Sequence, residues 1–416
     1  MVVKKPQSIQ AIYLYLVLGN TLAASFIWGI NTIFLLDAGL SNFEAFLANA
    51  FFTLGQVIFE VPTGVVADTW GRRISYLLGA FTLAVSTLLY LFMWQIHGPF
   101  WGWAASSVFL GLGFTFFSGA LEAWLVDALN VTGFKGNLDG VFAKGQMVGG
   151  AAMLTGSIAG GVIAQFSSLG VPYILRALVL IINFATAFFL MKDLGFTPQK
   201  SKQPLKEMKT VFTKSIDYGL KNPPVRWLML AAPFTTGVSF YIFYALQPFL
   251  LQLYGDTKAY AIAGLVAAIT ALAQIVGGFM APKVLRLFKK RTSALILGTI
   301  FATVILLLVS IATNFWVAIT LIFLWGLIFS SLFPIRQSFL NGVIPSAQRA
   351  TVLSFDSLMG SSGGIFIQPI LGKAADVWSY PFSYALASIF QIAAVPFIYL
   401  AKKQKAPSDA ITHNLK

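Results

Sequence analysis

The stretch Glu60-Val61-Pro62-Thr63-Gly64-Val65-Val66-Ala67-Asp68-Thr69-Trp70-Gly71-Arg72-Arg73 lies between two long apolar runs, near residues 43–66 and 74–95. At about 1.5 Å per residue, a helix of about 20 apolar residues crosses the roughly 30 Å hydrocarbon layer of a bilayer. The residues between the two runs are too few for anything but a tight turn, which Gly71 permits. Arg72 and Arg73 then stay hydrated at the membrane surface. The stretch is the joint between two antiparallel membrane helices, and the rest of the chain repeats that pattern.

Of the 416 residues, 57% are hydrophobic and 10% charged, against about 25% charged in an ordinary soluble protein. That excludes a soluble globular enzyme, and 39 Phe residues exclude a disordered chain. Apolar runs between polar or Gly/Pro breaks predict twelve spans, near 11–36, 43–66, 74–95, 101–126, 145–167 and 173–191, then 227–253, 259–281, 293–313, 316–335, 351–372 and 381–401. The first run is too long for a cleaved signal peptide and continues directly into a second span. The expected fold is an all-α membrane protein of two six-helix bundles, 1–192 and 226–402, with a linker over 193–225 and a tail over 403–416.

Twelve spans put both termini on one side, and 25 of the 28 Lys and Arg residues fall there. Arg176, Lys258 and Lys373 are the exceptions. The positive-inside rule then places both termini in the cytoplasm of a multi-pass protein of the inner (plasma) membrane. The net charge of +14 is thus a topology signal. Scattered over short loops, it predicts no nucleic-acid partner. The proline-bearing stretch Lys192 to Arg226 reads as a linker, in which Lys206 to Leu220 forms either an amphipathic surface helix or a solvated strand of chain.

The chain has no cysteine and two histidines, His97 in a short loop and His413 in the tail. No metal site, cofactor or thiol nucleophile is expected from that set. Without a nucleotide-binding pattern or a histidine inside a span, an enzyme is not expected either. A membrane sensor would be expected to carry a soluble output domain, and the linker and tail are too short to supply one.

Sliding the second half over the first by about 212–215 residues aligns Phe117-Ser118-Gly119-Ala120 with Phe329-Ser330-Ser331-Leu332. It also aligns Ser25-Phe26 with Ser239-Phe240 and Gly64 with Gly277. Two related halves are characteristic of transporters. Together with the twelve spans, the segment Gly64 to Arg73 resembles the signature G-x-x-x-D-x-x-G-R-[RK] between spans 2 and 3 of the major facilitator superfamily. The resemblance implies alternating access and a cytoplasmic gate of Gly64, Asp68, Gly71, Arg72, Arg73 and Asp127. In that gate the carboxylates hold a guanidinium and Gly64 lets span 2 approach a neighbour closely.

The fifth span carries Gly156-Ser157-Ile158-Ala159-Gly160-Gly161, similar to the G-P-x-x-G-G motif of antiporters in this superfamily, with Ser157 in place of the proline. Gly156, Gly160 and Gly161 suit tight helix packing. The fourth span lacks the arginine that many proton antiporters of the superfamily carry there, and its acid is Glu122. Ionisable groups inside spans are functional candidates by default, which selects Glu60, Glu122, Asp356 and Arg336 for proton or substrate coupling. Alternatively each acid pairs locally with Arg72, Arg336 or Arg349, and Glu122 and Arg336 either face one another or serve their own halves. Asp37 and Arg176, near span ends, are expected to snorkel to water.

In the superfamily spans 1, 4, 7 and 10 line a central cavity. By resemblance, Asn20, Trp28 and Asn31 on span 1 and Phe240, Tyr244 and Gln247 on span 7 are candidate substrate contacts, with plain packing as the alternative for the aromatics. The expected function is secondary transport of a small lipophilic or amphiphilic solute by alternating access, as a proton-coupled exporter resembling bacterial drug:proton antiporters. The expected partners are that small-molecule substrate, protons and the lipid bilayer, and the expected state is a monomer. The alternatives are import or facilitation of a sugar, nucleoside or other metabolite, and lipid flipping.

Overall fold

The computed structural model describes residues 5–197, 213, 216–345 and 349–411. Most of Lys206 to Leu220 lies outside them, apart from a π-helical turn at Ile216–Leu220. In order, the helices are α1 Pro6–Trp28, α2 Asn31–Asp37, α3 Asn42–Trp70, α4 Arg72–Gln95, α5 Phe100–Phe117, α6 Ala120–Val131, α7 Leu138–Phe166, α8 Gly170–Leu190, α9 Pro223–Tyr254, α10 Tyr260–Leu285, α11 Arg291–Ser310, α12 Phe315–Val343, α13 Arg349–Val377, α14 Tyr380–Ile392 and α15 Ala394–Lys403. The pairs α1/α2, α5/α6 and α14/α15 each continue one span across a break, giving twelve spans. Among the described residues, eleven meet the length and apolarity needed to cross a membrane. The twelfth, α13, has 29 residues, ample for the crossing.

The helices form two compact units: Met1–Gly39 with Phe51–Pro204 and Lys258–Ala268, and Leu40–Ala50 with Leu205–Thr257 and Ile269–Lys416. This grouping departs from contiguous halves in two places. The first turns of α3 cluster with the second unit and those of α10 with the first. Each unit has its own apolar core. In the first, Leu16, Tyr76, Leu83, Trp124 and Leu125 pack together; in the second, Leu228, Leu295, Ile335, Phe339 and Val352 do.

Helix α8 shows why the sequence suits lipid. Ile174, Leu178, Ile181, Ile182 and Phe189 are exposed, while Tyr173, Arg176 and Asn183 are buried. Apolar residues on both faces would give water no preference. In a bilayer the polar face is instead driven inward, where hydrogen-bond partners exist.

A repeated capping device closes each unit. The Asp193 carboxylate, just past α8, accepts from the Arg73 backbone N–H at 2.8 Å. Asp409, just past α15, accepts from Thr292 N and Thr292 Oγ1, both at 2.8 Å. Each carboxylate thus meets the positive first turn of a helix.

Candidate functional site

The fourth span is not one helix. It stops at Phe117, and Gly119 takes φ +67° before α6 begins, a backbone region that glycine enters without a Cβ penalty. At the corresponding place α12 runs unbroken through Phe329 to Leu332. There Ser331 replaces the glycine and bonds back to Ile328 O at 2.8 Å. The break therefore belongs to one half of the repeat only.

Two candidate acids stand at this break. Ser118 Oγ donates to Glu60 Oε1 at 2.6 Å, tying α3 to the discontinuity. Glu122 is exposed and occupies the first turn of α6, where a carboxylate is favoured by the partial positive charge of the helix start. It lies close enough to Tyr13 and Tyr76 to act on both electrostatically. Glu60 takes no ion pair with Arg72, whose guanidinium goes to Asp68 at 2.6 Å.

Asp356 and Arg336 come together in the second unit through Arg336 Nη2 to Asp356 Oδ1 at 2.5 Å and Nη1 to Oδ2 at 2.6 Å. Asp356 is only 3% exposed, so its partner is Arg336 and not the exposed Arg349.

Around the basic turn, Gly71 has φ +114°, and a Cβ there would also lie 2.4 Å from Asp193 Oδ2. Arg73 Nη2 donates to Phe188 O at 2.6 Å. Among the described residues, Asp127 forms no ion pair. The acid that meets this turn through the backbone is Asp193, which sequence reasoning missed because its target is an amide 120 residues away. Burial pushes the Asp193 carboxyl above its ordinary value, and the Arg73 and Arg72 backbone bonds and charges offset part of that shift. Gly64 corrects an expectation too. Nothing lies within 4 Å of a Cβ placed there, so it makes no close approach, whereas Gly55 on the same helix would meet Val108 O at 2.6 Å.

The glycines of α7 do pack tightly. A Cβ on Gly156 would lie 2.7 Å from Ser25 Cβ, one on Gly160 1.9 Å from Phe26 O, and one on Gly161 2.5 Å from Tyr260 O.

The substrate candidates divide. Asn20 and Trp28 are half-buried on α1, but the helix breaks at Gly29–Ile30, so Asn31 leaves their face and accepts from Tyr173 Oη at 3.1 Å. On α9, Phe240 and Tyr244 are half-buried. Gln247 is 1% exposed and donates to Phe243 O of its own helix at 3.4 Å. Arg176 does not snorkel. It is 2% exposed and donates from Nε to Thr87 Oγ1 at 3.0 Å, which makes it a buried ionisable residue that proximity to a span end concealed. Asp37 accepts from Trp94 Nε1 at 2.8 Å.

The profile described as Major Facilitator Superfamily matches residues 14–369. Multidrug resistance protein MdtG of Salmonella typhimurium is 26% identical over 340 residues, covering 80% of this chain and 77% of that protein. An uncharacterised MFS-type transporter of Methanocaldococcus jannaschii is 24% identical over 192 residues, 46% of this chain, and the match spans about half, 48%, of that relative. The fold is similar to that of the nucleoside transporter NupG, with TM-score 0.75 and 13% identity over 97% of this chain and 99% of that one. It is also similar to that of a D-xylose–proton symporter, with TM-score 0.68 and 16% identity over 95% and 97%. Twelve spans, two units and a profile match over most of the length agree: the chain is a multi-pass membrane transporter that belongs to the major facilitator superfamily.

Proposed function

We propose that the chain exports a small lipophilic or amphiphilic solute in exchange for protons, from a plasma membrane in which both termini are cytoplasmic. The observation that carries this is the exposed Glu122 at the break in the fourth span, a carboxylate in a helix without a basic residue. A carboxylate alternately hydrated and enclosed changes its proton affinity between the two situations, which is what coupling to a proton gradient requires. Similarity to the multidrug resistance protein MdtG supports export of a lipophilic solute. The half-buried Phe240, Tyr244 and Trp28 supply aromatic surface of the kind that accepts such solutes without fixed charge. Glu60, held by Ser118, is the second candidate for the same proton. Asp68 with Arg72 acts as part of a cytoplasmic gate.

The test is transport in inverted vesicles with the Glu122→Gln variant, which keeps size and hydrogen bonding but fixes the neutral state. Solute-for-solute exchange should persist while uphill accumulation driven by a pH gradient falls at least tenfold. Uphill accumulation that survives with unchanged pH dependence moves the coupling away from Glu122. A requirement for the opposite gradient direction replaces export by import.

A further inference from the structure

The second unit contains a cavity that the proton exchange proposed at Glu122 does not use. It offers about 90 Å³ of free space, several times the roughly 10–15 Å³ that one water needs. Four spans line it, and its walls are mainly aliphatic and aromatic, with Thr299 and Gln391 among the polar exceptions. Phe333 on the wall is 60% exposed, so the rim is open to the lipid-soluble molecules in which a membrane is rich. Among the residues lining the cavity, one is ionisable: Arg336.

The charge of Arg336 is held in reserve. Both of its terminal nitrogens engage Asp356, and Nη2 also donates to Leu228 O at 3.1 Å. Among the described residues no other ionic partner is positioned to compete, and Asp409, on the turn against α12, is held by Thr292. The single charged residue of α9, Arg226, stacks on Trp227 at 4.7 Å, and that of α11, Arg291, donates to Ser408 O and Ala410 O. Asp217, on the turn against α13, is taken by Lys221 at 2.7 Å. On α13 itself Arg349 is exposed two turns away from Asp356. The charges of α15, Lys402 and Lys403, lie in its last turn, and α14 contributes only the tyrosines Tyr380 and Tyr384.

We propose that this cavity binds a lipophilic carboxylate, meaning one ring or a short alkyl chain bearing an anionic head, and that binding displaces Asp356 from Arg336. The apolar part fills the space beside Phe329 and Thr299, and the carboxylate takes the two guanidinium donors in the same forked geometry that Asp356 uses. Asp356, buried and stripped of its counter-charge, then takes one proton from solvent, because an uncompensated buried carboxylate is strongly disfavoured. One ligand anion and one proton enter together, so net charge in the site is conserved. This binding reaction stands apart from proton exchange at Glu122 and needs no transport to be observed.

The experiment is calorimetric titration of the purified full-length protein in detergent with phenylacetate, and with phenylacetamide as the uncharged counterpart, in buffers of different ionisation heat. Phenylacetate should bind with uptake of about one proton, and its affinity should rise about tenfold for each pH unit lowered. Phenylacetamide should bind at least tenfold more weakly and without proton uptake. Asp356→Asn should bind phenylacetate more tightly with no proton uptake and no pH dependence. Thr299→Phe fills the cavity while leaving the ion pair intact, and should abolish binding. That second variant keeps the test decisive if Asp356→Asn fails to fold. Absence of phenylacetate binding to the unmodified protein, binding without proton uptake, or unchanged binding in Thr299→Phe would each overturn the proposal.

Discussion

Asp376, near the end of α13, grips the first turn of α3 at Asn42: its Oδ1 accepts from the Asn42 backbone N–H at 2.9 Å and its Oδ2 from Phe43 N at 2.8 Å. Tyr380 Oη also bonds Asn42 Oδ1. The remaining amides of that turn are satisfied locally. Glu44 N donates to Ser41 Oγ and Ala45 N to Ser41 O, while Glu44 Oε2 returns to Ser41 N at 2.9 Å. A capping box and a borrowed carboxylate together leave the start of α3 without an orphan donor.

Asp376→Ala should therefore expose two amides and remove a charge favoured by the helix dipole, a loss of about 1–2 kcal/mol. Asp376→Asn retains one acceptor oxygen and should lose about half as much. Apparent melting temperatures of the purified variants report the order. Equal melting of all three proteins would mean that this contact adds nothing to stability.

Asp193 gives a pH-dependent effect of definite sign. Burial first, only partly offset by the Arg73 and Arg72 backbone bonds and charges, raises its carboxyl above the ordinary value. The native state then holds that proton where the unfolded state has released it, so stability falls as pH rises from the ordinary carboxylate range through the raised native value. Asp193→Asn keeps an acceptor for Arg73 N and removes the titration. The variant should gain on the unmodified protein as pH rises above the ordinary carboxylate range. A gap in melting temperature that narrows with pH would reverse the assignment.

Two glycines should respond oppositely to a side chain. Gly160→Leu drives a Cβ onto Phe26 O, 1.9 Å away, so α1 and α7 must separate at a cost of about 4 kcal/mol or more. Gly64→Ala meets nothing within 4 Å and should be neutral or stabilise α3 by up to about 1 kcal/mol through helix propensity. Yield and monodispersity on size exclusion distinguish them. A well-behaved Gly160→Leu protein would show that the close approach is dispensable.

The absence of native cysteine allows orientation to be read directly. Ser41→Cys and Ser379→Cys should react with an impermeant maleimide on intact cells, and Ser201→Cys only after permeabilisation, because 25 of 28 basic residues lie on the side of Ser201. Labelling of Ser201→Cys alone from outside would invert the topology.

Taken alone, the chain determined the number of spans and the membrane class, because apolar run length and charge placement are local quantities that a bilayer reads directly. The turn at Gly71 was likewise legible from residue type. The tertiary structure decided the rest. Phe117-Ser118-Gly119 and Phe329-Ser330-Ser331 look alike in sequence, yet only the first breaks a helix, since αL backbone is open to Gly119 and closed to a buried Ser331. Asn20 and Asn31 share a face only on an unbroken helix, and the close packing of Gly29 on Gly264 coincides with the place where that helix stops. Asp193, Asp376 and Asp409 belong to no motif in the sequence, because their partners are mainly backbone amides, which every sequence position carries. Which amide a carboxylate finds is set by the packing of distant helices, and a hydrogen bond to the main chain leaves no residue type behind by which the sequence could announce it.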